Sequence, residues 1–319
     1  MIFLRIFIGL LIIILGTAVY FNPGLLANSK RNSVGGVTYF SDDEAISLRR
    51  MDNFQGAPEI SAKSAIVIDE PGGISLYEKD ATVRLLPAST TKLLTALVAL
   101  ESCSSEQLAT VTSVNPEPSS MGLAVGDVLT VESLLYGLLV ASGNDAAFAL
   151  ADVCATSQNE FVIKMNQKAK KLGLANSHFA NPAGFDDVTQ YTTARDLAKL
   201  AKAAISDPMI AKIVATRSVV VNDVGGNKTY YLSNVNKLLG QVEGVIGIKT
   251  GQTDGAQENL VAKTSRGGRA IITVVLGSGD RFSESEKLIE WAFANYQWIY
   301  SFNSSLQLSL KDYVPKIFI

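Results

Sequence analysis

The chain has 319 residues, 47% of them apolar and 18% charged, with a formal net charge of −2. This composition suits a packed globular body and excludes a disordered or collagen-like chain. With near-neutral charge and no basic run interleaved with aromatics, it also excludes a nucleic-acid binder.

Residues 2–21 form an apolar stretch broken only by Arg5. About 20 such residues can cross a bilayer as a helix. A cleaved signal peptide is the competing reading, with Gly16 and Ala18 before a possible cut. Because the apolar run continues to Pro23, residues 1–21 are read as a membrane anchor in preference to a signal segment. Residues 22–60 are mixed, polar and weakly periodic, and are expected to be a linker.

A globular domain is expected over residues 61–300. Residues 65–69 and 74–77, joined by Pro71-Gly72-Gly73, read as a β-hairpin. From Ser89 to about Ser206 the pattern is mainly helical, with loops over 116–126 and 176–191. Cys103 and Cys154 lie in or beside apolar helical patterns there, which favours two buried thiols over a disulfide. Strands return over 218–222, 245–249, 258–264 and 269–276. A helix is then predicted from Ser283 to about Ile299, its apolar face carrying Leu288, Ile289, Trp291 and Ala292. Residues 301–319 are too few for another domain. This order predicts an α/β fold of the α+β type. An antiparallel sheet built from both ends of the chain is flanked by helices, an all-helical subdomain is inserted, and a cleft lies between.

Three motifs carry candidate chemistry. Ser89 and Lys92, in Pro87-Ala88-Ser89-Thr90-Thr91-Lys92, stand one turn apart at the start of a helix that is apolar on nearly all sides. A serine hydroxyl needs a base to become a nucleophile, and lysine serves only when neutral. Its pKa must fall from ~10.4 toward ~7, worth about 4–5 kcal/mol, which burial and a second cation can supply. The bland alternative is a helix cap followed by a snorkelling lysine. Ser142-Gly143-Asn144 breaks a second apolar helical stretch, and is either a turn or a proton relay beside an amide-binding asparagine. Lys249-Thr250-Gly251-Gln252 ends an apolar strand. There a lysine and a hydroxyl could meet a substrate carboxylate, and a glycine leaves room for a peptide to pair along the edge.

In this order the motifs resemble those of penicillin-binding proteins and class A β-lactamases, and more closely the low-molecular-mass D-alanyl-D-alanine carboxypeptidases. The resemblance covers about residues 60–300 and includes Phe179-Ala180-Asn181-Pro182-Ala183-Gly184 and Tyr191-Thr192-Thr193-Ala194-Arg195-Asp196. It implies a β-lactamase/transpeptidase-like fold and an acyl-enzyme on Ser89, with Lys92 as base and Ser142 and Asn144 as the second wall. Lys249 and Thr250 would hold the carboxylate, and the backbone N–H groups of Ser89 and Gln252 would form an oxyanion hole. The implied substrate is a peptidoglycan stem peptide ending in D-Ala-D-Ala, with β-lactams as covalent inhibitors. The implied location is the cell envelope, membrane-anchored, with the catalytic domain outside the cytoplasm. Neither metal nor organic cofactor is expected.

His178 is read as positional, Asp186 and Asp187 as shaping their loop, and Thr193 with Asp196 as a capping box. A β-lactamase is the nearest rival, but residues 176–191 contain no glutamate to activate a deacylating water. A transpeptidase or endopeptidase would use the same residues, and a non-catalytic binding protein would keep the fold alone.

Overall fold

The computed structural model describes residues 38–302 apart from 42–43 and 115–118. The apolar segment 1–21 and most of the tail lie outside the described residues. The chain divides into two units, residues 50–297 and the two flanking stretches, 1–49 with 298–319.

The expected linker holds two antiparallel strands, β1 (Thr38–Ser41) and β2 (Glu44–Arg50). Weak alternation hid them; β1 pairs with β2 alone, and β2 also pairs with β12 from the far end of the chain. The predicted hairpin forms as β3 (Ser64–Asp69) and β4 (Ser75–Lys79). In its turn the Gly72 N–H donates to Asp69 Oδ2 at 2.8 Å, and Gly73 takes φ +69.

A 3₁₀ turn, Ala88–Thr91, runs directly into α1 (Lys92–Ser102), whose residues from Lys92 to Ala99 are all buried. The short strands β5 (Leu108–Thr110) and β6 (Val128–Thr130) pair with each other. Helices α2 (Val131–Leu139), α3 (Asn144–Cys154), α4 (Gln158–Lys171), α5 (Ala194–Ile205) and α6 (Pro208–Val214) follow. A second hairpin, β7 (Ser218–Asn222) and β8 (Thr229–Ser233), precedes β9 (Val245–Thr253), β10 (Gln257–Arg266) and β11 (Arg269–Ser278). Helix α7 (Arg281–Asn295) leads into β12 (Tyr296–Phe302), which joins β1 and β2 in a three-stranded sheet.

The main sheet has the order β4-β3-β11-β10-β9, antiparallel throughout, and β9 is an edge strand. Helices α5 and α7 pack on it, while α1 packs against α2, α3, α4 and α5. One core joins the sheet residues Ile66, Ile272 and Val274 to Leu93, Leu94, Leu134, Leu138 and Phe161 of the helices. Each such side chain contributes about 1.5–3 kcal/mol by leaving water. The expected fold class is the one observed.

Three expectations need correction. Helix α7 stops at Asn295, not near Ile299. The run Tyr296-Gln297-Trp298-Ile299-Tyr300 is aromatic and β-branched and favours a strand. Thr193 does cap α5 by accepting from the Asp196 N–H at 3.1 Å. The Asp196 carboxylate, however, accepts from the Asn176 N–H and Ser177 Oγ at 2.8 and 3.1 Å, tethering a loop instead of closing a capping box. Finally, Cys103 and Cys154 are disulfide-bonded, with Cα atoms 5.5 Å apart. Helical periodicity reports that each is buried, but only the packing of α1 beside α3 makes their C-terminal ends neighbours.

Candidate active site

The chain that leads into helix α1 is held by one buried side chain of the sheet. Asn259 of β10, fully buried, donates through Nδ2 to Leu86 O and Pro87 O, both at 3.0 Å, and accepts the Gly277 N–H at 2.9 Å. Ala88 then takes φ +49, a left-handed conformation costly for any residue with a Cβ. That bend presents Ser89, partly exposed, ahead of a lysine with no exposed surface.

Lys92 Nζ lies 2.8 Å from Ser89 Oγ, 2.7 Å from Asn144 Oδ1 and 2.7 Å from the Ala183 carbonyl. Burial, and next the nearby Lys249, hold its pKa well below the usual lysine value, against a smaller opposing pull from Asp145. A neutral amine has two hydrogens and one lone pair. Two fixed carbonyl oxygens take the hydrogens, so the lone pair is left facing the serine hydroxyl. The snorkelling alternative fails, since the ammonium has no path to water.

The other walls are fixed as firmly. Ser142 takes φ +59 in the break between α2 and α3, and the Gly143 N–H donates to Gly137 O at 2.9 Å. Asp145 accepts backbone N–H groups from Met121, Gly122 and Leu123, each at 3.0 Å, pinning that loop beside the motif. Asn181 Oδ1 accepts the N–H groups of Gly184 and Phe185 at 2.7 and 2.9 Å, shaping the turn that carries Ala183. Gly184 has φ +91, and a Cβ there would stand 2.0 Å from Ala88 O.

On β9, Lys249 Nζ donates to Ser142 Oγ at 2.8 Å and to Thr250 O at 2.9 Å. It is 1% exposed, and burial, with Arg281 adding to it, pushes its pKa down to about 7. Thr250 is buried and Gln252 exposed. A Cβ on Gly251 would meet Ser89 N at 2.9 Å, so this glycine lets β9 lie against the nucleophile turn, whereas the expectation was room for substrate. These contacts bring Ser89, Lys92, Ser142, Asn144, Lys249 and Gly251 together, and Thr250 and Gln252 flank Gly251 on β9.

The family model for D-alanyl-D-alanine carboxypeptidases matches residues 51–280. The D-alanyl-D-alanine carboxypeptidase of Streptomyces sp. strain K15 is 36% identical over 258 residues, covering 74% of this chain and 89% of its own. The chain belongs to the D-alanyl-D-alanine carboxypeptidase family. Another D-alanyl-D-alanine carboxypeptidase, DacF of Bacillus subtilis, is 36% identical over 246 residues, 74% of this chain. This chain spans 63% of DacF, and 64% of DacC of Escherichia coli, which is 37% identical. The solved structure of the Streptomyces K15 DD-transpeptidase is similar with a TM-score of 0.70 at 32% identity, covering 75% of this chain and all of its own.

Within this D-alanyl-D-alanine carboxypeptidase fold, Arg281 is a cation that motif reading missed. At the start of α7, its Nη1 donates to Gly251 O at 2.9 Å. It is far from Lys249 in sequence, and an arginine opening a helix carries no distinctive pattern. Asn259 was equally invisible, a lone polar residue in an apolar strand. His178 is positional as expected, with Nδ1 2.9 Å from Thr189 O and its ring stacked on Tyr191. Asp187 caps Thr189, whereas Asp186 reaches across to Thr253 Oγ1 at 2.6 Å and the Gly255 N–H at 3.0 Å. Among the described residues no cluster of His, Cys, Asp and Glu could hold a metal.

Proposed function

We propose that the chain is a serine-type carboxypeptidase that removes the terminal D-alanine from peptidoglycan stem peptides. One observation supports this reading above the rest: a fully buried Lys92 amine with a depressed pKa, held 2.8 Å from Ser89 Oγ. Ser89 Oγ attacks the carbonyl of the penultimate D-alanine as Lys92 takes its proton. The backbone N–H groups of Ser89 and Gln252 hold the oxyanion. The C–N bond breaks, and the proton passes to the leaving amine by way of Lys92 and Ser142. Water then hydrolyses the ester, and Asn144 keeps Lys92 in place throughout. The substrate strand pairs along β9, with its carboxylate met by Lys249, Thr250 and the added charge of Arg281.

β-Lactams acylate the same serine, and with no glutamate in residues 176–191 the adduct is expected to persist. Mass spectrometry after exposure to benzylpenicillin tests the assignment. A stable adduct mapped to the Ser89 peptide, absent in Ser89→Ala, is expected; an unmodified wild type rejects it. The enzyme acts outside the cytoplasm, and the Cys103–Cys154 disulfide suits an oxidising compartment. Attachment to the membrane is assigned to residues 1–21. No helix among the described residues is long and apolar enough to cross a bilayer.

A further inference from the structure

An oxyanion hole works only when both donors stand about 2.7–3.1 Å from the place the charged oxygen will occupy. The Ser89 N–H is carried by the turn that Asn259 holds through Pro87 O. Gln252 has less support. It is exposed, lies one residue from the end of β9, and pairs with Glu258 in a strand that has a neighbour on one side only. The end of an edge strand is where backbone hydrogen bonds open most readily. A contact from outside the sheet is what can keep that amide in place.

Asp186 makes such a contact. Thr253 Oγ1 donates to its Oδ1 at 2.6 Å and the Gly255 N–H to its Oδ2 at 3.0 Å, so one carboxylate spans the turn from β9 to β10. Thr253 Oγ1 in turn accepts the Ala256 N–H at 3.0 Å. The turn also rests on Leu86: a Cβ at Gly255 would meet Asp186 Oδ2 at 2.6 Å and Leu86 Cδ1 at 2.8 Å. Leu86 belongs to the segment that leads to Ser89, so Asp186 holds the carrier of one oxyanion donor against the carrier of the other. Its own base is rigid. The preceding turn is fastened to α1 by Thr95 Oγ1 donating to Pro182 O and Lys92 Nζ donating to Ala183 O, both at 2.7 Å. Gln190 Nε2 donates to Phe185 O at 2.6 Å, fixing the residue before Asp186. An aspartate that shapes only its own loop bonds its neighbours, as Asp187 does with Thr189. Asp186 instead places its two oxygens on partners 67 and 69 residues away.

We propose that Asp186 is a positioning residue for the oxyanion hole: through Thr253 and Gly255 it sets where the Gln252 N–H stands relative to Ser89. The inference rests on the acyl-enzyme reading above. As Ser89 Oγ bonds the carbonyl carbon, the C=O electron pair moves onto oxygen. The Gln252 N–H meets that charge only while the end of β9 is held. Asp186 touches no substrate atom, and its effect is geometric.

The test compares wild type with Asp186→Ala, Asp186→Asn, Thr253→Val and the double variant Asp186→Ala/Thr253→Val. Each is assayed on a pentapeptide ending in D-Ala-D-Ala, on benzylpenicillin, and with a peptide boronic acid whose tetrahedral serine adduct puts an oxygen in the hole. A displaced donor weakens the transition state and leaves the ground state alone. In Asp186→Ala, kcat and penicillin acylation should fall roughly tenfold, short of the roughly hundredfold or more for a donor removed outright. KM should hold, and boronate affinity should fall by the same factor as kcat. Asp186→Asn can still accept the Gly255 N–H and donate to Thr253 Oγ1, so it should run near the wild-type rate. Thr253 lies on the same path, and the double variant should be little slower than Asp186→Ala. The acid limb of the pH profile, set by Lys92, should not move. An Asp186→Ala enzyme at full speed, a loss confined to KM, undiminished boronate affinity or a shifted acid limb overturns the proposal. Should Asp186→Ala fail to fold, Thr253→Val decides by the same kcat and boronate readings. A wild type that is neither acylated nor active on the pentapeptide brings down the catalytic reading itself, and this one with it.

Discussion

Two buried lysines define opposite limits on pH. Lys92 must be neutral to accept the Ser89 proton, and its folded-state pKa is lowered, so acylation should decline as acid protonates it. Lys249 must be charged to hold a carboxylate, and with a pKa of about 7 it loses that charge as pH rises. The profile of kcat/KM should therefore be bell-shaped. Its alkaline limb should appear mainly in KM, because Lys249 acts on binding, while acylation by excess penicillin persists to higher pH. A profile still rising in kcat/KM well above neutrality, with constant KM, would remove Lys249 from carboxylate binding. Lys92→Met fills similar volume without an amine and should abolish acylation while leaving circular dichroism unchanged. Normal acylation by that variant would remove Lys92 from the mechanism.

At the scale of elements, the groove depends on how closely β9 approaches the turn before α1. Gly251→Ala places a Cβ 2.9 Å from Ser89 N, forcing strand and turn apart. A displacement near 1 Å costs roughly a hundredfold in rate, so penicillin acylation should slow by about that factor. Asn259→Ala removes the amide partner of Leu86 O and of the Gly277 N–H, while Pro87 O keeps its bond from Thr90 Oγ1 at 2.7 Å. It should lower stability by about 3 kcal/mol, read from the urea midpoint. These contacts also mark what could be read in the sequence. Ser89, Lys92, Ser142, Asn144 and Lys249 were legible because each sits in a short motif whose spacing reflects local geometry. Asn259 acts across 173 residues of chain on the turn before α1, and Arg281 reaches back 30 residues to Gly251 of β9. No local pattern encodes such a pairing. Strand β12 was lost for the same reason, since its pairing with β2 joins opposite ends of the chain.

Over the whole molecule, the Cys103–Cys154 bond closes a separation of 51 residues and ties together the far ends of α1 and α3, whose near ends hold Lys92 and Asn144. A loop of that length implies about 4 kcal/mol. Reduction should lower Tm by roughly 10 °C, checked by calorimetry with and without dithiothreitol. Deleting residues 1–21 should release active protein into the soluble fraction. The left-handed backbone at Ala88 and Ser142 sets a conflict between endurance and turnover. Each position holds conformational strain of about 1–2 kcal/mol that glycine would relieve. Laboratory selection for heat resistance alone, blind to peptide cleavage, should therefore drift toward glycine at 88 and 142. The survivors would be sturdier molecules with a slackened nucleophile, and their rising melting points would chart the loss of the enzyme.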